Sequence, residues 1–157
     1  MTEATASLRV IRATLQDVDR LVPLFAAYRE FYRRPPDPDG CRHFLTERIR
    51  RGESVVYLAE ELGSALGFTQ LYPTFASLSM KPWWVLYDLY VTPEARHRGI
   101  ASLLLDRAKQ LARETGADGI SLETAVDNPA QKLYEAQGWK RDDAFLHYEL
   151  YLDASHG

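Results

Sequence analysis

Arg96, His97 and Arg98 stand against Gly99 inside "DLYVTPEARHRGIASLLL", residues 88–105, where an apolar run ends and a helical pattern begins. A helix N-terminus leaves backbone N–H groups without acceptors and carries partial positive charge, which suits it to anions. Glycine at such a turn lets a ligand approach the backbone with no Cβ in the way. The residue types and their order therefore describe a cradle for phosphates. Neither G-x-x-x-x-G-K-[ST] nor G-x-G-x-x-G occurs; the pattern present is Arg96-x-x-Gly99-x-Ala101. The alternative, a solvated basic first turn, must explain cations where the helix dipole disfavours them.

A second chemical feature precedes the cluster. Asp88 is the only charge in the apolar run "WWVLYDLYV", residues 83–91. Desolvation raises the pKa of a lone acid in such a strand, toward the range useful for a base or an anchor of a cationic amine. The other reading is an aspartate hydrogen-bonded inside the sheet. Cys41 is the only cysteine and can form no intramolecular disulfide; no histidine is tied to it by pattern, and it reads as packing.

These residues need elements to hold them. "LRVIR", residues 8–12, alternates as a first strand, and Thr14 with Asp17 starts a helix bearing Val18, Leu21, Val22, Phe25, Tyr28 and Tyr32 on one face. The prolines of "RRPPDPDG" predict a loop over residues 33–40, then a short helix over 41–51 ending at Gly52. Residues 54–60 and 65–72 read as strands joined around Leu62 and Gly63, "PTFASLSMK" as a loop, and residues 83–91 as a strand buried on both faces. A helix from Gly99 to the stop at Gly116, a strand over 119–126, a short helix from Asp127 or Asn128 to Gly138, and a closing strand "AFLHYELYL" complete the chain. His147 sits in that last strand as a structural residue. The order predicts an α/β class with one mixed sheet.

At 157 residues, 46% hydrophobic and 26% charged, the chain is the size of one soluble domain, taken as residues 1–157. No apolar run is long enough to cross a bilayer, and the start "MTEATASLRV" lacks the pattern of a signal peptide, so a cytoplasmic protein without a membrane partner is expected. A net charge of −3 argues against nucleic acid as a partner and is compatible with a cationic small substrate.

The strand "LYDLYVTPEAR", the loop "RHRGIA", the helix "SLLLDRAKQLARETGA", the strand "ISLETAV" and "DNPAQKLYEAQGW" follow one another in an order that resembles the GNAT superfamily of acyl-coenzyme A dependent N-acetyltransferases, including its small-amine and histone-type branch. The resemblance spans about residues 8–152 and is strongest over 84–139. It implies a mostly antiparallel sheet with splayed central parallel strands and flanking helices, acetyl-CoA as co-substrate, no metal, and a homodimer. It assigns the coenzyme A pyrophosphate to Arg96, His97, Arg98, Gly99, Ala101 and Ser102, and the pantetheine arm to the backbone of Leu89, Tyr90 and Val91. Asn128 matches an asparagine that contacts coenzyme A, and Tyr134 a tyrosine beside the thioester sulfur.

The implied reaction is direct attack of a primary amine, of a small molecule or a peptide, on acetyl-CoA. With a lysine-like pKa only about 4 in 10,000 amines are neutral at pH 7, so a base, a water relay or a pKa-lowering site is needed. Asp88 is the candidate base or anchor, and Tyr134 the residue that stabilises the departing sulfur by a hydrogen bond. Relatives resembling polyamine acetyltransferases carry an acid beside this aspartate where the present chain has Tyr87. The amine pocket is expected from Tyr28, Phe31, Tyr32 and Arg33 on one side and Tyr72, Thr74, Phe75, Lys81 and Trp83 on the other, whose rings suit a cation or an apolar side chain. The alternative is a non-catalytic module that binds or senses acyl-CoA.

Overall fold

Alternating side chains over Leu8–Arg12 form strand β1, and Thr14 turns the chain from it into a helical run. The Thr14 hydroxyl accepts the Gln16 N–H at 3.2 Å while the Thr14 N–H donates to the Asp17 carboxylate at 2.8 Å, as the spacing predicts. A 3-10 turn, Leu15–Asp17, leads into α1, Val18–Phe31, followed by α2, Pro38–Arg50. The structure, a computed structural model, describes residues 7–153; the reading of MTEATA at the start lies outside them. Helix α2 begins at Pro38 rather than the expected Cys41, because proline fits a first turn that needs no N–H acceptor. Asp37 caps it by accepting the Gly40 N–H at 3.1 Å.

Strands β2, Val55–Glu61, and β3, Ser64–Ala76, form a hairpin around Leu62 and Gly63, at φ 51° and 82°. The loop expected over 73–81 is corrected: β3 continues to Ala76 and pairs with the start of β4, Lys81–Val91, leaving residues 77–80 as the turn. Pro73 is tolerated there because its partner Trp84 sends its own N–H the other way, to Gly119 O at 3.1 Å, so no ladder bond needs a donor at Pro73. The sheet runs β1-β2-β3-β4-β5, antiparallel until β5, Ile120–Leu122, which pairs parallel to β4. This is the mixed, mostly antiparallel α/β sheet the sequence predicts.

Helices cover both faces of β2, which is why it is buried along almost its whole length. Val56 and Leu58 join Leu21, Val22, Cys41, Leu45 and Phe68 in one core with α1 and α2. Tyr57 points to the other face, where Arg107 of α3, Ile100–Glu114, lies 4.7 Å from its ring. Three expectations change. Residues 83–91 are not buried on both faces: Tyr87 is 65% exposed, so the apolar run reflects aromatics on an open face. The strand expected over 119–126 spans only Ile120–Leu122. Residues 144–152 form no strand, and Phe145, Leu146, Tyr148 and Leu150 are exposed, since alternation alone cannot make a strand without a ladder partner. His147, also exposed, lies 3.6 Å from Glu149.

The chain divides into two compact units, one through Glu123 and one from Thr124. The first holds the whole sheet. The second contains a short helix, α4, Gln131–Ala136, ended by Gly138 at φ 92°.

Candidate active site

Strand β4 changes its pairing midway. Leu86 pairs with Leu71, but Asp88 pairs with Gln70, so Tyr87 is the extra residue of a β-bulge. β5 accompanies β4 over residues 84–86 and no farther. The Thr92 N–H donates to Leu66 O at 2.9 Å; alternation along the ladder therefore turns the Tyr90 and Asp88 backbone toward β3 and that of Leu89 and Val91 toward the side β5 has left. Val91 O there accepts the Arg96 Nε–H at 3.1 Å. Of the three residues expected at the splay, Leu89 and Val91 present backbone groups to it, while Tyr90 instead sets its ring 5.8 Å from the Arg96 guanidinium.

Beyond β4 the chain makes a 3-10 turn, Pro93–Ala95, then passes through His97 and Gly99, both left-handed at φ 64° and 77°. That conformation favours glycine at 99; a Cβ would meet nothing within 4 Å, so the space in front is open. The Leu103 N–H bonds back to Gly99 O at 3.1 Å, which leaves the amides of Gly99, Ile100 and Ala101 without an acceptor inside α3. No side chain caps this helix start and no acid lies in its first turn, which also contains Ser102. Arg98 Nη2 donates to Glu61 Oε2 at 2.6 Å. That partner explains how a cation is held beside the positive end of a helix, and the guanidinium keeps the Glu61 carboxyl below the usual carboxylate range.

Asp88 is 7% exposed, and no cation pairs with it among the described residues. Gln70 Nε2 donates to its Oδ2 at 2.9 Å, and the Tyr28 hydroxyl, which donates to Tyr87 O at 3.5 Å, also favours the charged carboxylate. Burial raises the Asp88 pKa above the ordinary carboxylate range, against the lowering pull of Gln70 and Tyr28. Burial and then the Asp88 charge push the Tyr28 and Tyr72 hydroxyls upward, so both remain protonated donors at neutral pH. Asp88 is thus bonded inside the sheet and, among the described residues, has no countercharge.

The aromatic residues separate into two places. Tyr28 packs against Tyr32 at 5.2 Å, Phe31 against Tyr32 at 5.2 Å, and Tyr72 against Tyr87 at 5.4 Å, all near the Asp88 end of β4. Thr74, Phe75, Lys81 and Trp83 lie at the other end of the β3–β4 hairpin. Phe75 is 80% exposed and Lys81 Nζ is 3.8 Å from Asp118. The Trp83 indole N–H donates to Ser121 Oγ at 3.0 Å, and its ring covers Gly119, where a Cβ would sit 2.7 Å from it. Trp83 therefore holds β5 in place. Arg33 is exposed, at φ 60°.

In the second unit, Asn128 opens the turn before α4: its Oδ1 accepts the Ala130 N–H at 2.9 Å and its backbone O the Gln131 N–H at 3.3 Å. Tyr134, on α4, sets its ring 6.1 Å from Trp139 and accepts the Trp139 N–H at 3.0 Å through its carbonyl oxygen. Two residues escaped the sequence reading. Gln70 was marked only by being an amide in the apolar run "GFTQLYP"; Glu61, 37 residues from Arg98, had no local signal.

A family model described as Acetyltransferase (GNAT) family matches residues 21–139. A Bacillus subtilis (strain 168) protein called uncharacterized N-acetyltransferase YhfO is 44% identical over 94% of this chain and 99% of its own length. A probable acetyltransferase of Haemophilus influenzae (strain ATCC 51907 / DSM 11121 / KW20 / Rd) is 30% identical over 92% of this chain and 99% of its own. A crystal structure of a probable acetyltransferase, 48% identical, superposes with a TM-score of 0.86 over 92% of this chain and 99% of that one.

Proposed function

The chain belongs to the acetyltransferase (GNAT) family, and from that premise we propose that it moves the acetyl group of acetyl-CoA to a primary amine of a small molecule or peptide by direct attack. The observation that carries the reading is one continuous stretch: Asp88 without a countercharge, the outward backbone of Leu89 and Val91, then the unbonded amides at the start of α3. These fit the co-substrate, because a pyrophosphate needs N–H donors and positive charge in an open space, and an amide-bearing arm needs a free strand edge. When bound, acetyl-CoA supplies a thioester carbonyl that an amine nitrogen can attack, with the thiolate as leaving group.

The chain's own residues do the rest. The amides of Gly99 and Ala101, with Arg96, His97, Arg98 and Ser102, hold the pyrophosphate; Arg98 contributes less than a free arginine because Glu61 already offsets its charge. The backbone of Leu89 and Val91, flanking Tyr90, lines the pantetheine arm, and Asn128 adds a contact from its turn. Asp88 takes the amine proton, helped by burial that favours its protonated form. Tyr134 donates a hydrogen bond to the departing sulfur. Tyr28, Tyr32 and Tyr72 form the amine's aromatic wall, with Phe75 and Trp83 farther along the same hairpin. The same reading takes residues 1–157 as one acetyltransferase domain working in the cytoplasm as a homodimer, with neither nucleic acid nor membrane as partner. A net charge of −3 supports the part about nucleic acid; no helix among the described residues is long and apolar enough to cross a membrane.

The test is release of free coenzyme A thiol from acetyl-CoA across polyamines, amino acids, aminoglycosides and peptides. Transfer to a primary amine, lost in Tyr134→Phe by about 10²-fold, is the expected result. Silence across the panel overturns the reading. If acetyl-CoA nevertheless raised the melting temperature, the chain would be an acyl-CoA sensor instead.

A further inference from the structure

Gln70 and Asp88 face each other as direct partners across the β3–β4 ladder, and Gln70 is fully buried. Its Nε2 donates to Asp88 Oδ2 at 2.9 Å, yet its other polar atom, Oε1, is buried with no hydrogen-bond partner. A buried acceptor left without a donor is unfavourable and calls for a reason. The groups acting on Asp88 are few: Gln70 and Tyr72 from β3 and Tyr28 from α1, with Tyr87 next to it on β4. Among the described residues, no hydrogen bond or ion pair joins Asp88 to a group of β5 or α3. Gln70 is the only neutral amide in this set, and an amide alone offers a donor and an acceptor on one planar end.

We propose that Gln70 is a positioning residue that serves both protonation states of Asp88, its N–H donating to the carboxylate and, after a half-turn of the amide, its oxygen accepting from the carboxylic acid. The inference deepens the reading of Asp88 as the amine-side base and rests on it. A base that has taken a proton becomes a donor; an N–H held fixed against that new O–H would repel it. The terminal torsion of glutamine is broad and two-fold, so the turn needs no change in the rest of the side chain. Oε1 is then the acceptor reserved for the protonated state. The proton leaves the amine nitrogen, resides on Asp88 and passes to solvent after turnover, and no further reactant is required.

The test uses the full chain without substrate first. The Asp88 carboxyl carbon is titrated by ¹³C NMR in the wild type, Gln70→Met and Gln70→Glu. Hydrogen bonds to a charged acceptor are worth more than those to a neutral one, so loss of the amide in Gln70→Met should raise the Asp88 midpoint by about one pH unit. In Gln70→Glu the two carboxyls should titrate as a coupled pair in two steps. In the wild type, the Gln70 side-chain N–H₂ resonances should move with the Asp88 midpoint. The acid limb of kcat/KM for thiol release should rise by the same unit in Gln70→Met, a tenfold loss at pH values below the limb.

An unmoved Asp88 midpoint in Gln70→Met, or Gln70 amide resonances indifferent to the Asp88 titration, overturns the proposal. Should Gln70→Met not fold, the isosteric Gln70→Glu and the wild-type amide resonances decide the matter. Asp88→Asn separates the two layers. If that variant keeps the wild-type acid limb, the base reading fails, and the catalytic part of the Gln70 proposal with it. If it abolishes the limb while Gln70→Met shifts nothing, only the Gln70 proposal fails.

Discussion

Two acids of this sheet expose little surface, Glu60 on β2 at 5% and Asp88 on β4 at 7%, and the chain treats them in opposite ways. Glu60 meets two guanidinium groups, Arg9 Nε at 3.0 Å and Arg20 Nη1 at 2.7 Å, which hold its carboxyl below the usual range. Asp88 meets an amide and a phenol, and burial carries it above that range. An acid that has its cations is fixed for structure. An acid buried without one keeps a cost that packing alone would select against, and such groups collect where a proton has to move.

The largest expected effect comes from neutralising the second of them. Asp88→Asn should lower kcat/KM for thiol release by about 10²- to 10⁴-fold, the usual contribution of a positioned base. Its stability should change the other way. The folded-state pKa of Asp88 lies above its unfolded value, so the folded state binds more protons and stability falls as pH rises between the two. Asp88→Asn removes that loss, and thermal melts should find it more stable than the wild type near pH 7, the gain vanishing below the ordinary carboxylate pKa. An active Asp88→Asn, or one destabilised at neutral pH, would erase the contrast with Glu60.

Glu60→Gln is the mirror experiment. Breaking a buried ion pair is costly, but Arg9 is largely exposed and can return to water, so the loss should be about 1–2 kcal/mol, a fall in Tm of roughly 2–8 °C. Here the folded pKa is depressed, so the carboxylate's contribution is complete above the unfolded pKa and disappears as pH falls through the folded one. The melting curves of Glu60→Gln and wild type should therefore converge in acid. Transfer activity should stay within about twofold, as the network lies on β1, α1 and β2.

The sequence showed one half of this contrast. Asp88 stood out because a single charge in an apolar run has no local explanation, and the loop and helix start proposed as the cradle stood out because their parts, Arg96 to Ala101, are adjacent in the chain. What decides the behaviour of Asp88 was not local. Gln70 lies 18 residues away and reaches it through a ladder register that the Tyr87 bulge sets; a bulge leaves no mark in apolar periodicity. Glu61, which offsets Arg98, is likewise reached only through tertiary folding. Most strands and helices followed from alternation, caps and glycine stops. The pattern misled at residues 144–152, where alternation was present and a pairing partner was not.

The smallest and most discriminating change is Tyr28→Phe. The ring contacts of Tyr28 with Phe68, Tyr32 and Tyr90 survive the substitution, so stability should move by less than about 1 kcal/mol. Only the hydroxyl is lost, and with it one of the two polar groups that pull the Asp88 pKa down. The acid limb of kcat/KM should rise, by a smaller step than in Gln70→Met because Tyr28 is the lesser of the two influences, while the rate above the limb stays at the wild-type level. A tyrosine that served only as a wall for the amine would give a different signature: KM for the amine raised by the same factor at every pH, with the limb in place. The pH profile of one phenylalanine variant thus separates a residue that acts on Asp88 from one that acts on the substrate.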